Sequence, residues 1–472
     1  MVSLRNKIGF ICFSLIAFLQ IGSAYAQKGY KLKLLSHWQN ENLYRLNGYQ
    51  IWNDLTGYVD SVHHREYIIA GSIDSIYFFD ITDPTQIKLC DAQHGRSWAV
   101  VNRDYECYSH YAYCVSDNNT PGALQVFDLQ YLPDSVHKVY DSDSLSFNTH
   151  SIFIDAKSKR LYLCINRLKS GGVAAMDIMS LENPEKPTWI GRLQVPTFGD
   201  GATAFRNVHE VYVRNDTAYC SVEYNGIWIF DLRDLKKQSL ISVIRDYPEN
   251  GYNHSSYLDK SGRFLMFTDE IPNGLSVKIY DIKDIHSPKL ASMYQSNKGA
   301  TAHNAFWKGG FAYVSSYHDG LYIYNLFDPF HPYVEAYYHT SPWPPSSYEG
   351  FKGCWGVYPF FPSGVIAASD MGEGIFVFKP DTSLTGLDQP NEKEEINIFP
   401  NPFSGKIQIE FPKSKIEPLD FKVYSANGEL LLHRIISEPT FEADLSEWNI
   451  GIYFVYLSNN RIHQIQKLIK TN

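Results

Sequence analysis

Histidine opens the same strand in four consecutive repeat units: Asn148-Thr149-His150, Asn207-Val208-His209, Tyr252-Asn253-His254 and Ala302-His303-Asn304. A later unit carries Cys354-Trp355-Gly356 at that place. A second recurring position, at the far end of the next strand, holds Gly71, Asp117, Asn166, Glu223, Asp269, Tyr317 and Asp370. Most of these are polar or acidic. In an antiparallel pair the start of one strand and the end of the next share one edge of the sheet. That register sets His209 near Glu223, His254 near Asp269 and Glu270, and His150 near Asn166. The candidate ring is His150, His209, Glu223, His254, Asp269, Glu270, His303, Asn304, Trp355 and Asp370.

Three chemistries fit these residue types, in descending weight. Hydrogen-bonded histidines and carboxylates can cross-link repeat units and satisfy buried polar groups. Imidazole with carboxylate can ligate a divalent first-row ion, with His209, His254, His303 and Asp269 as the metal candidates, and acidic groups with carbonyls suit calcium. A histidine oriented by a carboxylate can also act as general acid or base. No GxSxG, HExxH, P-loop or dinucleotide fingerprint points to a reaction, so no catalytic residue is assigned and a non-enzymatic reading is preferred. Trp343, Tyr348, Trp355 and Tyr358 lie in a Pro- and Gly-rich segment, 341–362, that could stack on sugars or plug a channel. His63 and His64 sit in a hairpin away from this edge and read as solvated.

The elements that must position these residues repeat seven times. A small residue, four mostly apolar or aromatic positions and then Asp or a substitute recur: Ser75-Ile76-Tyr77-Phe78-Phe79-Asp80, 123–128, 172–177, Gly226-Ile227-Trp228-Ile229-Phe230-Asp231, 276–281, Gly320-Leu321-Tyr322-Ile323-Tyr324-Asn325 and Gly374-Ile375-Phe376-Val377-Phe378-Lys379. The spacing, 44 to 54 residues, suits propeller blades better than solenoid turns. Each copy follows another apolar strand, and two more strands complete a four-stranded antiparallel unit. The expected fold is all-β: a seven-bladed β-propeller followed by a small β-sandwich. The last unit lacks a fourth strand. The apolar segment 30–38 is expected to supply it and close the ring, which removes exposed sheet edges.

Composition sets the outer bounds. The chain has 472 residues, 15% aromatic and 20% charged, which can fill large cores and excludes disorder over most of its length. Its 42 basic against 51 acidic residues argue against a nucleic-acid partner, because neutralising phosphates needs a positive surface. Residues 1–26 read as a signal peptide: Arg5 and Lys7, an apolar run over 8–21, and Ala24-Tyr25-Ala26 before Gln27. With it removed the charge is near −11 and no transmembrane segment is expected in the mature chain. Six cysteines then remain, Cys90, Cys107, Cys114, Cys164, Cys220 and Cys354, with no metal-ligand spacing; small buried core residues are the preferred reading.

The division expected is a signal peptide over 1–26, a propeller over 27–380, a polar linker over 381–395 and a sandwich over 396–472. The last segment carries the FPNPF run at 399–403, Val423-Tyr424-Ser425-Ala426-Asn427-Gly428, Gly451-Ile452-Tyr453-Phe454-Val455 and Gln466-Lys467-Leu468-Ile469. On these residues it resembles the type A C-terminal sorting domain of the type IX secretion system of Bacteroidetes. The resemblance implies that residues 396–472 engage the secretion machinery, and that the protein is secreted or held on the outer-membrane surface.

Residues 32–380 resemble the choice-of-anchor B family of exported propellers, related to LVIVD-repeat proteins. The matching residues are Arg65-Glu66-Tyr67-Ile68-Ile69-Ala70-Gly71, Gly251-Tyr252-Asn253-His254-Ser255-Ser256, Thr268-Asp269-Glu270, Ala302-His303-Asn304-Ala305, Tyr348-Glu349-Gly350, Gly353-Cys354-Trp355-Gly356-Val357-Tyr358-Pro359 and Ser369-Asp370. Two positions depart from the pattern: Trp98-Ala99-Val100 stands where Trp-Arg-Asp is usual, and Ser75 replaces a Gly. The resemblance implies shape and location and carries no settled activity. The expected role is a monomeric surface propeller that binds an extracellular protein, glycan or matrix partner. The alternatives are a metal-dependent hydrolase using the same ring, or a scaffold without a small ligand whose channel is plugged.

Overall fold

The computed structural model describes residues 29–117, 121–342, 348–381, 396–410, 418–425, 429–438, 440–458 and 463–471. The expected signal peptide, almost all of the expected linker and Trp343 lie outside the described residues. Among those described there are strands and turns, and no helix long and apolar enough to cross a membrane.

Residues 29–381 form seven sheets, and each follows one plan. In the first, strands Trp52–Asp60, Arg65–Ser72, Ser75–Asp80 and Lys88–His94 pair antiparallel in chain order. The first strands of the other sheets are Arg103–Tyr108, Ser151–Asp155, Glu210–Arg214, Asn253–Leu258, Ala305–Lys308 and Cys354–Tyr358. These seven strands are neighbours in succession, and Cys354–Tyr358 packs back on Trp52–Asp60. The sheets are therefore arranged radially as a β-propeller. The seventh sheet is completed by Leu32–Trp38, which pairs antiparallel with Gly374–Pro380. The two residues before it do something the sequence pattern did not announce: Gly29–Tyr30 pairs with Tyr333–Tyr338 and adds a fifth strand to the sixth sheet. The N-terminal segment thus ties the outer edges of two adjacent sheets.

The aromatic repeat explains how the sheets adhere. Strand residues alternate between two faces, and both faces of each inner sheet region are apolar, so every junction becomes a core. Tyr162, Met176, Val211, Cys220, Trp228 and Phe230 fill the junction of the third and fourth sheets. Ile51, Trp52, Phe79, Phe361 and Val377 fill the junction that joins the seventh sheet to the first. Four of the six cysteines, Cys114, Cys164, Cys220 and Cys354, are buried in such positions; Cys90 and Cys107 are partly buried, and all six are free thiols.

Near the C-terminus, Asn397–Phe399, Lys406–Glu410 and Thr440–Asp444 form one sheet. Leu430–Ile436, Leu419–Ser425, Gly451–Ser458 and His463–Lys470 form another. Ile398, Phe403, Ile409, Phe421, Val423, Val455 and Leu468 make their common core.

Candidate functional site

At the starts of the innermost strands the histidines meet. Ring centroids are 4.1 Å apart for His150 and His209, 4.5 Å for His209 and His254, and 4.2 Å for His254 and His303. The arc ends at Tyr317 and Trp355, each 5.0 Å from His303. His209, His254 and His303 are at most 5% exposed. Each histidine comes from a successive sheet, so the radial arrangement itself brings them into contact.

Their outer nitrogens differ. His150 Nδ1 is 2.7 Å from Asp117 Oδ2, and His303 Nδ1 is 2.8 Å from the Trp355 carbonyl oxygen. His254 Nδ1 is 3.6 Å from Glu210 Oε2. Nδ1 of both His209 and His254 is buried without a hydrogen-bond partner. Burial opposes charge on His150, but the hydrogen bond and field of Asp117 outweigh it and raise its pKa. Burial, reinforced by the neighbouring imidazoles, drives His209 and His254 well below the usual histidine value. Burial takes His303 to about 3.

Glu270 completes the cluster. Its Oε1 accepts the Tyr317 hydroxyl at 2.6 Å, and burial raises its pKa. One donor atom from each of His209, His254 and Glu270 lies within 4.8 Å of the others, and all three residues are buried. Tyr317 and Glu223 hold φ of +29° and +50°, a region costly for a residue with a Cβ, so the backbone is strained where these side chains enter.

Several expected neighbours are placed elsewhere. Asp269 forms a 2.6 Å ion pair with Lys278, both side chains fully buried, and accepts the Tyr247 hydroxyl at 2.8 Å. It turns away from the histidines because adjacent strand residues face opposite ways, and Glu270 takes the place expected of it. His303, set among the metal candidates, is tied to the Trp355 backbone. Glu223 accepts from Asn207 at 2.8 Å and from Tyr252 at 3.2 Å, and Tyr252 lies 5.2 Å from His209. Asn166 bonds to Thr149 and Asp177 rather than to His150. Asp370 accepts Thr340 and the amides of Gly372 and Glu373; burial raises its pKa to about 6. Asn304 donates to Asp54 at 2.9 Å.

The sequence reading missed the layer below. Asp54, Asp104 and Glu210 stand near the starts of their strands, with Glu106 beyond, and their fields act on one another. Burial raises the pKa of all four, and their mutual repulsion adds to the rise for Asp54, Glu106 and Glu210. The signal was alternation: the residue after His209 is Glu210, and the residue after His303 is Asn304. Gly356 belongs here too, since a Cβ on it would collide with Asp54 Oδ1. Three residues past each histidine come Phe153, Tyr212, Tyr257 and Phe306, whose successive centroids are 5.4, 4.6 and 5.5 Å apart. With Phe360, 5.7 Å from Phe306, they form an aromatic floor. Along the inner strands the site is layered, with the imidazoles first, the carboxylates next and the aromatic rings after them.

Residues 397–471 match the secretion system C-terminal sorting domain. That tail implies interaction with the type IX machinery and export to the cell surface or extracellular space. No curated protein matches the chain. Similar solved structures include the Cps50 (Swd1) β-propeller domain of Myceliophteria thermophila, at 10% identity and TM-score 0.47 over 74% of this chain and 99% of that one. PorZ, a surface component of the type IX secretion system of Porphyromonas gingivalis, aligns at 12% identity and TM-score 0.46 over 89% of this chain and 60% of its own length. A Lactobacillus plantarum protein aligns at 11% identity and TM-score 0.48 over 84% of this chain and 99% of that one. The propeller assignment rests on the sheets themselves.

At the rim, Tyr224 is 58% exposed and meets Tyr252 edge-on at 5.2 Å. Phe351, also exposed, lies 5.1 Å from Tyr317. Tyr44 and the exposed Trp98 form another pair at 5.2 Å. Tyr348 donates to Asp319 and Tyr358 packs on Phe361, so neither projects as a free stacking surface. His63 pairs with Asp60 in its hairpin, well away from the ring.

Proposed function

We propose that this protein is a seven-bladed propeller of the choice-of-anchor B kind, exported through the type IX system, that binds an extracellular partner at its histidine-lined funnel. A glycan fits the rim best. The supporting observation is the continuous path from exposed Tyr224 through Tyr252 to buried His209: an aromatic ledge for a sugar face beside groups that hydrogen-bond to hydroxyls. The likeness of residues 32–380 to that family and the sorting tail both support an extracellular setting.

The test is binding of the mature chain to an array of surface polysaccharides and matrix proteins. Wild type is expected to retain a ligand, and Tyr224→Ala and His209→Ala are each expected to weaken it about tenfold, equivalent to roughly 1.4 kcal/mol. No retention, or retention unchanged in both variants, contradicts the reading. A second reading, metal-dependent hydrolysis, is favoured by the proximity of His209, His254 and Glu270 and would appear as metal-dependent turnover of the retained ligand.

A further inference from the structure

We infer that His209, His254 and Glu270 form a binding site for one divalent cation of the zinc class, with a fourth coordination position open to an oxygen ligand. This deepens the reading of the funnel as a binding site and rests on it. The donor set is two imidazoles and one carboxylate, a combination that zinc accepts with a water or substrate in the fourth place. Two ligand atoms on one zinc ion stand at most about 4.2 Å apart, given bonds of about 2.1 Å. The three donor atoms here already lie within 4.8 Å of one another, so small side-chain rotations bring them onto one ion.

Two independent observations point to a ligand. Nδ1 of His209, in a residue 5% exposed, has no hydrogen-bond partner, and a buried polar atom left so calls for an ion or water. The groups behind the ligands also have the form of a supporting shell. Glu210 stands 3.6 Å from His254 Nδ1, the carboxylate–histidine arrangement that orients a ligating imidazole. Tyr317 holds Glu270 by one oxygen and leaves the other. Calcium suits the set poorly because it prefers all-oxygen shells.

The test uses tag-free mature chain, residues 27–472, stripped with chelator and titrated with zinc(II), and with cobalt(II) as a spectroscopic probe. The expected result is one zinc per chain after gel filtration and a visible cobalt spectrum of a four- or five-coordinate site. Combined His209→Ala and His254→Ala is expected to abolish both. Tyr317→Phe, which keeps the fold and removes only the hydroxyl on Glu270, is expected to weaken zinc about 10- to 100-fold. His63→Ala, in the exposed hairpin away from the ring, is expected to leave it unchanged. Absence of stoichiometric zinc in wild type, or zinc retained in the double variant, overturns the inference. Capture of the extracellular partner is read separately, with and without zinc. Zinc binding without partner capture refutes only the proposed function, and partner capture by a chain that takes up no stoichiometric zinc refutes only the cation site.

Discussion

Lys278 and Asp269 provide a quantitative test of which acid belongs to the site. Lys278 Nζ is 2.6 Å from Asp269 Oδ2, both side chains are completely buried, and Nζ also donates to the Glu249 carbonyl oxygen at 2.7 Å. In Lys278→Met, Asp269 keeps Tyr247 and Asn253 as neutral donors but loses the one counter-charge it has among the described residues. Breaking such a pair by removing one partner costs about 3–5 kcal/mol. For a ring of roughly 350 residues, with about 2.1 cal/mol/K of unfolding entropy per residue, that corresponds to a fall in Tm of about 4–7 °C. Calorimetry and urea melts measure it. Combining Lys278→Met with Asp269→Leu and Tyr247→Phe removes both charges and the hydroxyl that would otherwise lose its acceptor, and is expected to recover at least half of the loss. The triple variant should still bind zinc, because Glu270 and not Asp269 faces the histidines. A Lys278→Met cost below about 1 kcal/mol would refute the reasoning that this pair anchors the strand end carrying Glu270.

Two further predictions concern the same region. His303 has a depressed folded pKa of about 3, so the unfolded chain binds its proton more readily below pH 6.5. Its contribution is fully present above that pH and is lost as pH falls, at about 1.4 kcal/mol per unit between 6.5 and 3. Glu270 and Asp370, with raised pKa values, act in the opposite sense. The difference in urea stability between metal-free wild type and His303→Gln should therefore shrink from pH 7 to pH 5, and a constant difference would contradict the assignment. Gly356→Ala places a methyl group against Asp54 and is expected to lower stability by about 1–3 kcal/mol, read by thermal melt, whereas an unchanged melt would show that the close approach is absent.

The repeat made most of the architecture legible. A small residue, an apolar run and a terminal Asp or its substitute, recurring seven times, mark one strand per sheet, and the missing fourth strand pointed to the N-terminal segment that pairs with Gly374–Pro380. The histidines were legible because each opens its strand at an equivalent position, and a ring of sheets must bring equivalent positions together. Partners across the junctions were not. Asp117 serves His150 of the following sheet, and Asn304 reaches Asp54 past the seventh, so register within one sheet assigned the wrong neighbours. Asp269 and Glu270 show the finest limit: consecutive acids at a strand end point to opposite sides, and only the fold decides which side holds the histidines. The pairing of Gly29–Tyr30 had no periodicity to announce it, because two residues are too few to carry one.

The most direct measurement of the central claim is anomalous diffraction at the zinc edge from crystals of the mature chain grown with zinc. One peak is predicted within the funnel, about 2.0–2.2 Å from a ring nitrogen of His209, a ring nitrogen of His254 and a carboxylate oxygen of Glu270. A funnel holding only water at that point, with any zinc bound to surface residues instead, would contradict the account.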